Sequence, residues 1–180
     1  MMYKYKGYAP LTTCLPWNGW IEETANVIGQ VTLGSNVSIW FGAIVRGDTG
    51  SIRIGDYTNV QAYSILEAGD AKHLEIGEYV TVEHHATLRG CAIGHHTLIG
   101  MHSIVSDYAV VGNYCLIEAN TVIEPHQIIP DYSVVAGTPA KVIANVTEQH
   151  VEQIQHKAEM AYGLIENYRA LEPYWFGDNE

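Results

Sequence analysis

The chain has 180 residues and a formal net charge of −11, because twenty Asp and Glu stand against nine Lys and Arg. This length fits one domain with its own core, and the acidic balance argues against nucleic acid and anionic membranes as partners. No apolar stretch approaches the ~20 residues that span a bilayer. Three Cys without a CxxC pair, and a start without an apolar segment, predict a reduced cytoplasmic protein with no secretory signal.

After a lead-in segment of residues 1–25, a six-residue repeat of aliphatic side chains organises residues 26–142. The first half of the repeat is interrupted, and its aliphatic positions are Ile28, Leu33, Ile39, Val45, Ile54, Val60, Leu66, Ile76, Val82 and Leu88. The second half is strict, with Ile93, Ile99, Val105, Val111, Ile117, Ile123, Ile129 and Val135. We interpret this period as short strands joined by tight corners, with each aliphatic side chain facing a narrow interior.

Two further features of the hexads indicate how the corners form. The residue four places after the aliphatic position is usually small, as in Thr97 and Ser103. The next residue after the aliphatic position is often Gly, as in Gly94, Gly100 and Gly112, which predicts an unusual φ there. Three hexads close one triangular coil, so that residues about eighteen apart stack in columns along an all-β solenoid.

A helix follows the repeat over residues 147–172. Apolar residues recur three and four apart, Thr147 is the expected N-cap, and Pro173 marks the predicted end. The apolar face of this helix is expected to pack on the flank of the solenoid. Residues 173–180 form a predicted aromatic and acidic tail.

The sequence resembles the γ-class carbonic anhydrase-like family. The resemblance rests on segments 39–48, 54–55, 59–61, 80–84, 88–91, 99–101 and 137–141, which read IWFGAIVRGD, IG, NVQ, VTVEH, LRGC, IGM and GTPAK. It implies a left-handed parallel β-helix of hexapeptide repeats with a C-terminal helix packed on its flank, and a homotrimer. It also implies a metal, zinc, iron or cobalt, held between subunits by three His.

Two of the three family ligand positions carry other residues in this chain. The first and third, which the family takes from one subunit, are Glu67 and Arg89 here. The second, which the family takes from the neighbouring subunit, is His84. Because catalytic zinc needs three protein ligands and Arg offers no lone pair, we expect the three-His site to be lost. No cofactor is therefore assigned, and zinc, iron or cobalt at His84 stays the minor alternative.

The two replacements form a compatible pair. The hexad phase places Arg46, Glu67 and Arg89 on successive coils of one face, about 4.8 Å apart. A carboxylate between two guanidiniums makes a salt-bridge ladder, and each Arg can offer it two donors. The sequence therefore predicts a metal site exchanged for an ion-pair ladder.

Several other residues match family site positions. Arg46 and Asp48 correspond to the pair that links subunits, and we expect them at the trimer interface. Asn59 and Gln61 match the polar positions near the family's reaction centre, and Tyr162 corresponds to the helix Tyr that reaches toward it. These three are the candidate catalytic residues.

The chain is rich in His, with nine in total, five of them between residues 84 and 102. A displaced metal site that combines His84, His85 or His102 with Glu67 or Glu83 is one interpretation. The other is that these are turn and surface residues, with His95 and His96 at another corner. Neighbouring residues on a strand point to opposite sides, which favours the second interpretation.

Four functional hypotheses remain at this point. The first is a trimeric γ-carbonic anhydrase-like protein without the three-His site and without ordinary CO2 hydration. The second is an acyl-CoA-dependent acyltransferase or thioesterase that acts at the subunit interface, with a His as general base. The third is a non-catalytic assembly subunit, and the fourth is a carbonic anhydrase with a remodelled metal site. The sequence does not identify a small-molecule ligand.

Overall fold

The chain forms a left-handed parallel β-helix with one C-terminal helix on its flank. The structure is a computed structural model that describes residues 12–13 and 18–175. The strands are β1 Thr12–Thr13, β2 Trp20–Ile21, β3 Asn26–Leu33, β4 Ser38–Ile39, β5 Ile44–Ile54, β6 Asn59–Val60, β7 Ile65–Glu67, β8 His73–Ile76, β9 Thr81–Val82, β10 Thr87–Arg89, β11 Ala92–Ile93, β12 Leu98–Ile99, β13 Ile104–Val105, β14 Val110–Val111, β15 Leu116–Ile117, β16 Val122–Ile123, β17 Ile128–Ile129, β18 Ser133–Ala136 and β19 Lys141–Asn145. The helix α1 spans Glu148–Trp175.

The strands form the three faces of a triangular coil. One face is an eight-stranded sheet in the order β19-β18-β15-β12-β9-β6-β4-β2, in which only β19 is antiparallel to its neighbour. The other two faces belong to one eleven-stranded sheet, in which β5 pairs with β7 on one face and with β8 on the other. The aliphatic side chains of the repeat fill the interior, where Ile39, Leu66 and Ile99 have no solvent exposure.

The coil begins earlier than the predicted boundary at residue 26. Strand β1 pairs with β3, and β2 pairs with β4, so both already belong to the stacked sheets. The rest of the predicted lead-in, residues 1–11 and 14–17, lies outside the described residues. The sequence gives no signal here because two-residue strands are too short to show a period.

The helix continues past its predicted end, through Pro173 to Trp175. This departs from the usual rule, since a proline beyond the first turn of a helix removes one hydrogen bond and crowds the carbonyl four residues earlier. The predicted tail therefore begins inside the helix, and its residues 176–180 lie outside the described residues. No helix in the described part of the chain is long and apolar enough to cross a membrane.

The helix covers the eight-stranded face through two apolar clusters. Near the start of the solenoid, Ile165 packs with Trp20 and Trp40, whose ring centroids are 4.9 Å apart. Further along, Ile154 packs with Leu98, Leu116 and Val134. Burial of these side chains contributes roughly 1.5–3 kcal/mol each for the large aliphatic ones. An ion pair between Lys157 and the half-buried Glu83 joins helix and sheet between the clusters.

The predicted role of the repeat glycines is wrong. Gly94, Gly100 and Gly112 do not have a positive φ. They are needed because a Cβ would collide with the next coil, as at Gly94, where it would lie 2.6 Å from the carbonyl carbon of Gly112. The positive φ falls instead on large residues at the corners, such as His96 at 52° and Tyr114 at 53°.

These corner residues stack their rings along the solenoid. One column contains Tyr57, Tyr79, His96, Tyr114 and Tyr132, with neighbouring centroids 4.7–5.0 Å apart. A second contains Tyr63, His85 and His102, and a third pairs Tyr108 with His126. The coil spacing brings the rings into contact, and such contacts are worth about 0.5–1.5 kcal/mol each. Dispersion between stacked rings thus offsets part of the cost of the left-handed backbone.

The stacked position of His96 makes stability depend on pH. Burial lowers the pKa of His96 from its ordinary 6.5, and the neighbouring His95 lowers it further. The unfolded chain then binds a proton more readily than the folded one, so the free energy of unfolding falls as the pH drops below about 6.5.

We expect His96→Tyr to weaken this pH dependence. Tyr occupies the same position in the coils on either side, so the variant keeps the stacked ring and loses the proton-binding group. Thermal unfolding of both proteins between pH 5 and pH 7.5 measures the difference, which should be seen as a smaller fall in Tm for the variant. An equal fall in Tm for both proteins would contradict this role of His96.

Candidate functional site

Three charged side chains stack on the face formed by β5, β7 and β10. Strand pairing sets Arg46 beside Glu67, and Glu67 beside Arg89, in the register that the hexad spacing predicts. The Nη2 of Arg46 lies 3.0 Å from Oε1 of Glu67, and the Nε of Arg89 lies 3.8 Å from Oε2 of the same carboxylate. We call these three residues the ladder.

Further carboxylates hold both ends of the ladder. At one end, the Nε of Arg46 lies 3.2 Å from Oδ1 of Asp48. At the other, the guanidinium of Arg89 lies 2.9 Å from Oδ1 of Asp70 and 3.3 Å from Oδ2 of Asp107. Arg89 therefore contacts three carboxylates, when Glu67 is included, and its orientation is fixed by all of them.

Asp70 and Asp107 are residues of this cluster that sequence reasoning missed. Asp107 is buried, and its Oδ1 accepts a hydrogen bond of 2.6 Å from the backbone N–H of Asp70. Gly69 and Gly90 leave the room for it, because a Cβ on either would lie within 2.5 Å of that oxygen, at 2.1 and 2.4 Å. The break in the six-residue phase between residues 67 and 75 is the only sequence signal of this arrangement.

A cleft of about 320 Å³ opens beside the ladder, lined by Arg46, Thr49, Glu67, Gly69, Asp70, Lys72 and Arg89. The lining contains three cations, Arg46, Lys72 and Arg89, and two carboxylates, Glu67 and Asp70. Asp48 and Asp107, which do not line the cleft, also pair with Arg46 and Arg89. Both Arg are therefore already compensated, and the cleft offers little free positive charge to an anionic cofactor.

The residues at the family's metal position do not fit a metal ion. Arg89 is always protonated, carries no lone pair and repels cations. It occupies the position that the sequence resemblance aligns with the third His, and its guanidinium engages the carboxylate of Glu67. Within the described residues of one chain, no three His, Cys, Asp or Glu side chains come together in a way that could hold a metal.

His84 lies at the corner between β9 and β10, where it is exposed. Arg89 lies at the far end of β10, so a full strand separates the two residues in one chain. Whether His84 approaches the ladder of a neighbouring copy depends on the assembly. The displaced site has no geometric support, because the rings of His85 and His102 stack in parallel at 4.9 Å and 8°, and in-plane nitrogen lone pairs of parallel rings do not converge on one ion.

The predicted catalytic residues lie on a different face from the ladder. Asn59 is buried on β6, where it donates 2.8 Å to the hydroxyl of Thr81 and accepts 2.8 Å from Nε2 of Gln61. These hydrogen bonds belong to the eight-stranded sheet. The ring of Tyr162 lies 5.7 Å from that of Tyr57, so within one chain it contacts an aromatic column.

The stacked coils, the inward aliphatic columns and the flank helix define a hexapeptide-repeat protein. Among solved structures, a putative acetyltransferase from Bacillus cereus superposes with a TM-score of 0.87 at 29% identity, covering 93% of this chain and 96% of that one. A hexapeptide transferase family protein from Anaplasma phagocytophilum superposes with a TM-score of 0.76 at 30% identity, over 88% of this chain and 96% of that one.

The curated relatives identify the family. A probable carbonic anhydrase from Methanocaldococcus jannaschii is 39% identical over 138 residues, which are 77% of this chain and 87% of that protein. A carbonic anhydrase from Geobacillus kaustophilus is 32% identical over 172 residues, 96% of this chain and 93% of that protein. No protein-family model matches. The chain belongs to the γ-class carbonic anhydrase-like family.

The ladder makes a measurable contribution to stability. Both guanidiniums are more than a third exposed, so solvent screens the ion pairs, and we expect Glu67→Gln to lower the free energy of unfolding by about 1 kcal/mol. The loss arises because the carboxylate between the two guanidiniums is removed, while Asp48, Asp70 and Asp107 keep their contacts with the outer sides. Urea unfolding at low and high salt measures it, and the difference should shrink as salt rises.

The matched control for this variant is Glu124→Gln. Glu124 is exposed on the same solenoid and makes no ion pair within the described residues, so its change should stay within about 0.5 kcal/mol. If the two variants lose equal stability, the ladder does not stabilise the fold.

Proposed function

We propose that this chain is a trimeric γ-carbonic anhydrase-like protein in which the ladder replaces the three-His metal site. In this proposal the protein does not bind a catalytic metal at that position and does not hydrate CO2 by the metal-dependent route. The observation that supports it is the side chain of Arg89, whose guanidinium contacts Glu67, Asp70 and Asp107. A cation in the same place would meet a fixed positive charge.

The ladder performs a structural role in this proposal. Removal of Glu67 would leave the two Arg with only their outer partners Asp48, Asp70 and Asp107. Exchange of two His for a Glu and an Arg creates a matched pair on neighbouring coils. Such pairs contribute little net stability when partly exposed, but they fix which side chains lie against each other. We infer that the ladder fixes the register of coils at the edge of the interface, where the family places its metal.

The same face carries a mostly aliphatic column beside the ladder. Strand pairing aligns four aliphatic residues, Ile44, Ile65, Ile104 and Val122, with Asn26 at one end and Thr87 between Ile65 and Ile104, all pointing outward. Ile104 is 42% exposed in the single chain. An outward aliphatic column next to fixed charges is typical of a surface between copies, which supports self-association through this face.

Acyl transfer from a CoA donor is the competing function. The name of the Bacillus cereus neighbour, a putative acetyltransferase, is the observation in its favour. The residues of this chain do not support it, because both Arg of the cleft beside the ladder are already paired with carboxylates, and the several phosphate charges of CoA would need free cations. We therefore retain the metal-free proposal.

The proposal predicts that purified protein contains no stoichiometric zinc, iron or cobalt and gives no CO2 hydration above the uncatalysed rate. Elemental analysis and stopped-flow hydration on the same preparation measure both quantities, before and after incubation with zinc and with cobalt. One tightly bound metal per chain, together with rapid hydration, would overturn the proposal.

The double change Glu67→His with Arg89→His tests the assignment of the positions. It removes the fixed cation and supplies two imidazoles on neighbouring coils, so zinc should bind with an affinity that the wild type lacks. Glu67→His alone is the control, since it keeps Arg89 and should bind no zinc. If the double variant folds, shown by circular dichroism, but binds no zinc, these positions are not the former ligand positions.

The trimer predicts that Ile104→Glu disrupts assembly. A charge in the apolar column would be desolvated on association, so the mass measured by light scattering should fall from three copies to one. Ile128→Glu is the control, because Ile128 is 74% exposed on a different face, and it should leave the trimer intact. Equal masses for both variants and the wild type would contradict association through this face.

A further inference from the structure

A serine, a histidine and a glutamate lie together on the third face of the solenoid. The hydroxyl of Ser51 lies 2.8 Å from Nδ1 of His73, and Nε2 of His73 lies 3.6 Å from a carboxylate oxygen of Glu75. His73 and Glu75 are about half exposed. The family resemblance assigns no role to any of these three residues.

The stacking of coils brings the three together. Ser51 on β5 is the cross-strand partner of His73 on β8, so the two side chains lie side by side. Ile52 follows Ser51 and Leu74 follows His73, and both point into the core, where they are 1% and 0% exposed. Glu75 follows His73 by two residues and therefore points to the same side of the sheet.

The contacts on the two ring nitrogens are mutually consistent. A carboxylate at Nε2 favours the tautomer with the proton on Nε2, and this leaves a lone pair on Nδ1. That lone pair faces the hydroxyl of Ser51. A nucleophile, a base and a group that orients the base are the three parts of an activated serine, and the distances between them are often longer in a protein without substrate.

Cations flank the three residues on both sides. Arg53 is the cross-strand partner of Glu75 and points outward on the same face. Lys72, next to His73 in the chain, lines the cleft beside the ladder and makes no ion pair within the described residues. Positive charge near Ser51 would stabilise the oxyanion that forms when a hydroxyl attacks an acyl carbonyl.

A groove of about 740 Å³ runs along the solenoid beside this cluster. Arg53 and Glu75 form part of one wall, and the same wall continues along the coils with Ala92 and Val110. Its floor consists of stacked glycines, such as Gly77 and Gly94, where no side chain can be added without collision. Ser51 and His73 lie outside this lining, one outward position before Arg53 and Glu75 on the same two strands. We place the apolar acyl group along the wall, with its carbonyl at the end nearest to Glu75 and turned out of the groove toward Ser51.

We propose that Ser51, His73 and Glu75 form a nucleophilic triad that hydrolyses esters or thioesters of short apolar acyl groups. His73 takes the proton of the Ser51 hydroxyl through Nδ1 while the serine oxygen bonds to the acyl carbon. The bond from that carbon to the leaving oxygen or sulfur breaks, and the leaving group takes the proton from His73. Water, deprotonated by His73, then attacks the acyl-serine and releases the carboxylic acid and the free hydroxyl.

This activity does not rest on the ladder. Ser51 and His73 belong to the β5–β8 pairing, whereas the ladder belongs to the β5–β7 and β7–β10 pairings. The presence or absence of metal at the family position therefore leaves the proposal unchanged, and Glu67→Gln serves as a variant that should hydrolyse esters at the wild-type rate.

The test uses p-nitrophenyl butyrate hydrolysis and labelling with a fluorophosphonate probe, both on the full chain. We expect wild-type turnover above the buffer rate and a probe adduct on the peptide that contains Ser51. Ser51→Ala should reduce hydrolysis to the buffer rate and abolish that adduct. Ser106→Ala is the control, because Ser106 lies on another face, and it should change neither.

Two further variants separate catalysis from folding. His73→Gln should lower kcat by about 10²–10⁴-fold, the usual contribution of a general base. Glu75 acts through His73 and is a positioning residue, so Glu75→Gln should lower kcat with KM unchanged, and Glu75→Asp should recover part of the loss. No adduct on Ser51, or equal rates for the wild type and Ser51→Ala, would overturn the proposal.

Discussion

Every feature of this molecule depends on the register with which one coil lies on the next. Strands stack about 4.8 Å apart, so a residue on one coil contacts the residue at the same position of the coils on either side, whatever the two side chains are. Chemistry in this fold is therefore arranged in columns. The ladder of Arg46, Glu67 and Arg89, the stacked rings at the corners and the Ser51–His73 pair are three results of the same constraint.

The constraint also bears on the proposed exchange of two His for Glu67 and Arg89. These residues lie side by side on neighbouring coils, so in that proposal Arg89 alone would place a cation beside a metal-binding imidazole, and both changes are needed together. With Glu67 in the middle, both guanidiniums have a partner, and Asp48, Asp70 and Asp107 complete their contacts. The cluster therefore holds four carboxylates around two guanidiniums, so both Arg are fully compensated in a chain whose net charge is −11.

The features that repeat with the six-residue period were predicted from the sequence, whereas those that form at the corners of the coil were not. The inward aliphatic columns and the alignment of the ladder follow from counting, because each side chain repeats its position once per coil. The large residues with positive φ, such as His96 and Tyr114, were not predicted, because glycine is the usual residue in that conformation. The cost of the left-handed backbone is offset here by stacking on a ring from another coil. Asp107 was also missed because its partner lies on another coil: the backbone N–H that binds its carboxylate belongs to Asp70, 37 residues away in the chain.

The abundance of His has a physical explanation that does not involve metal. A planar ring at a left-handed corner can stack on the rings of neighbouring coils, and both Tyr and His supply such a ring. His85, His96, His102 and His126 occupy these corners, where stacking holds their rings parallel. Metal ligation requires the opposite arrangement, with lone pairs that converge on one point. The composition of the chain thus reflects the geometry of its corners, and the residues that decide its chemistry are those whose partners on the neighbouring coil carry a complementary group.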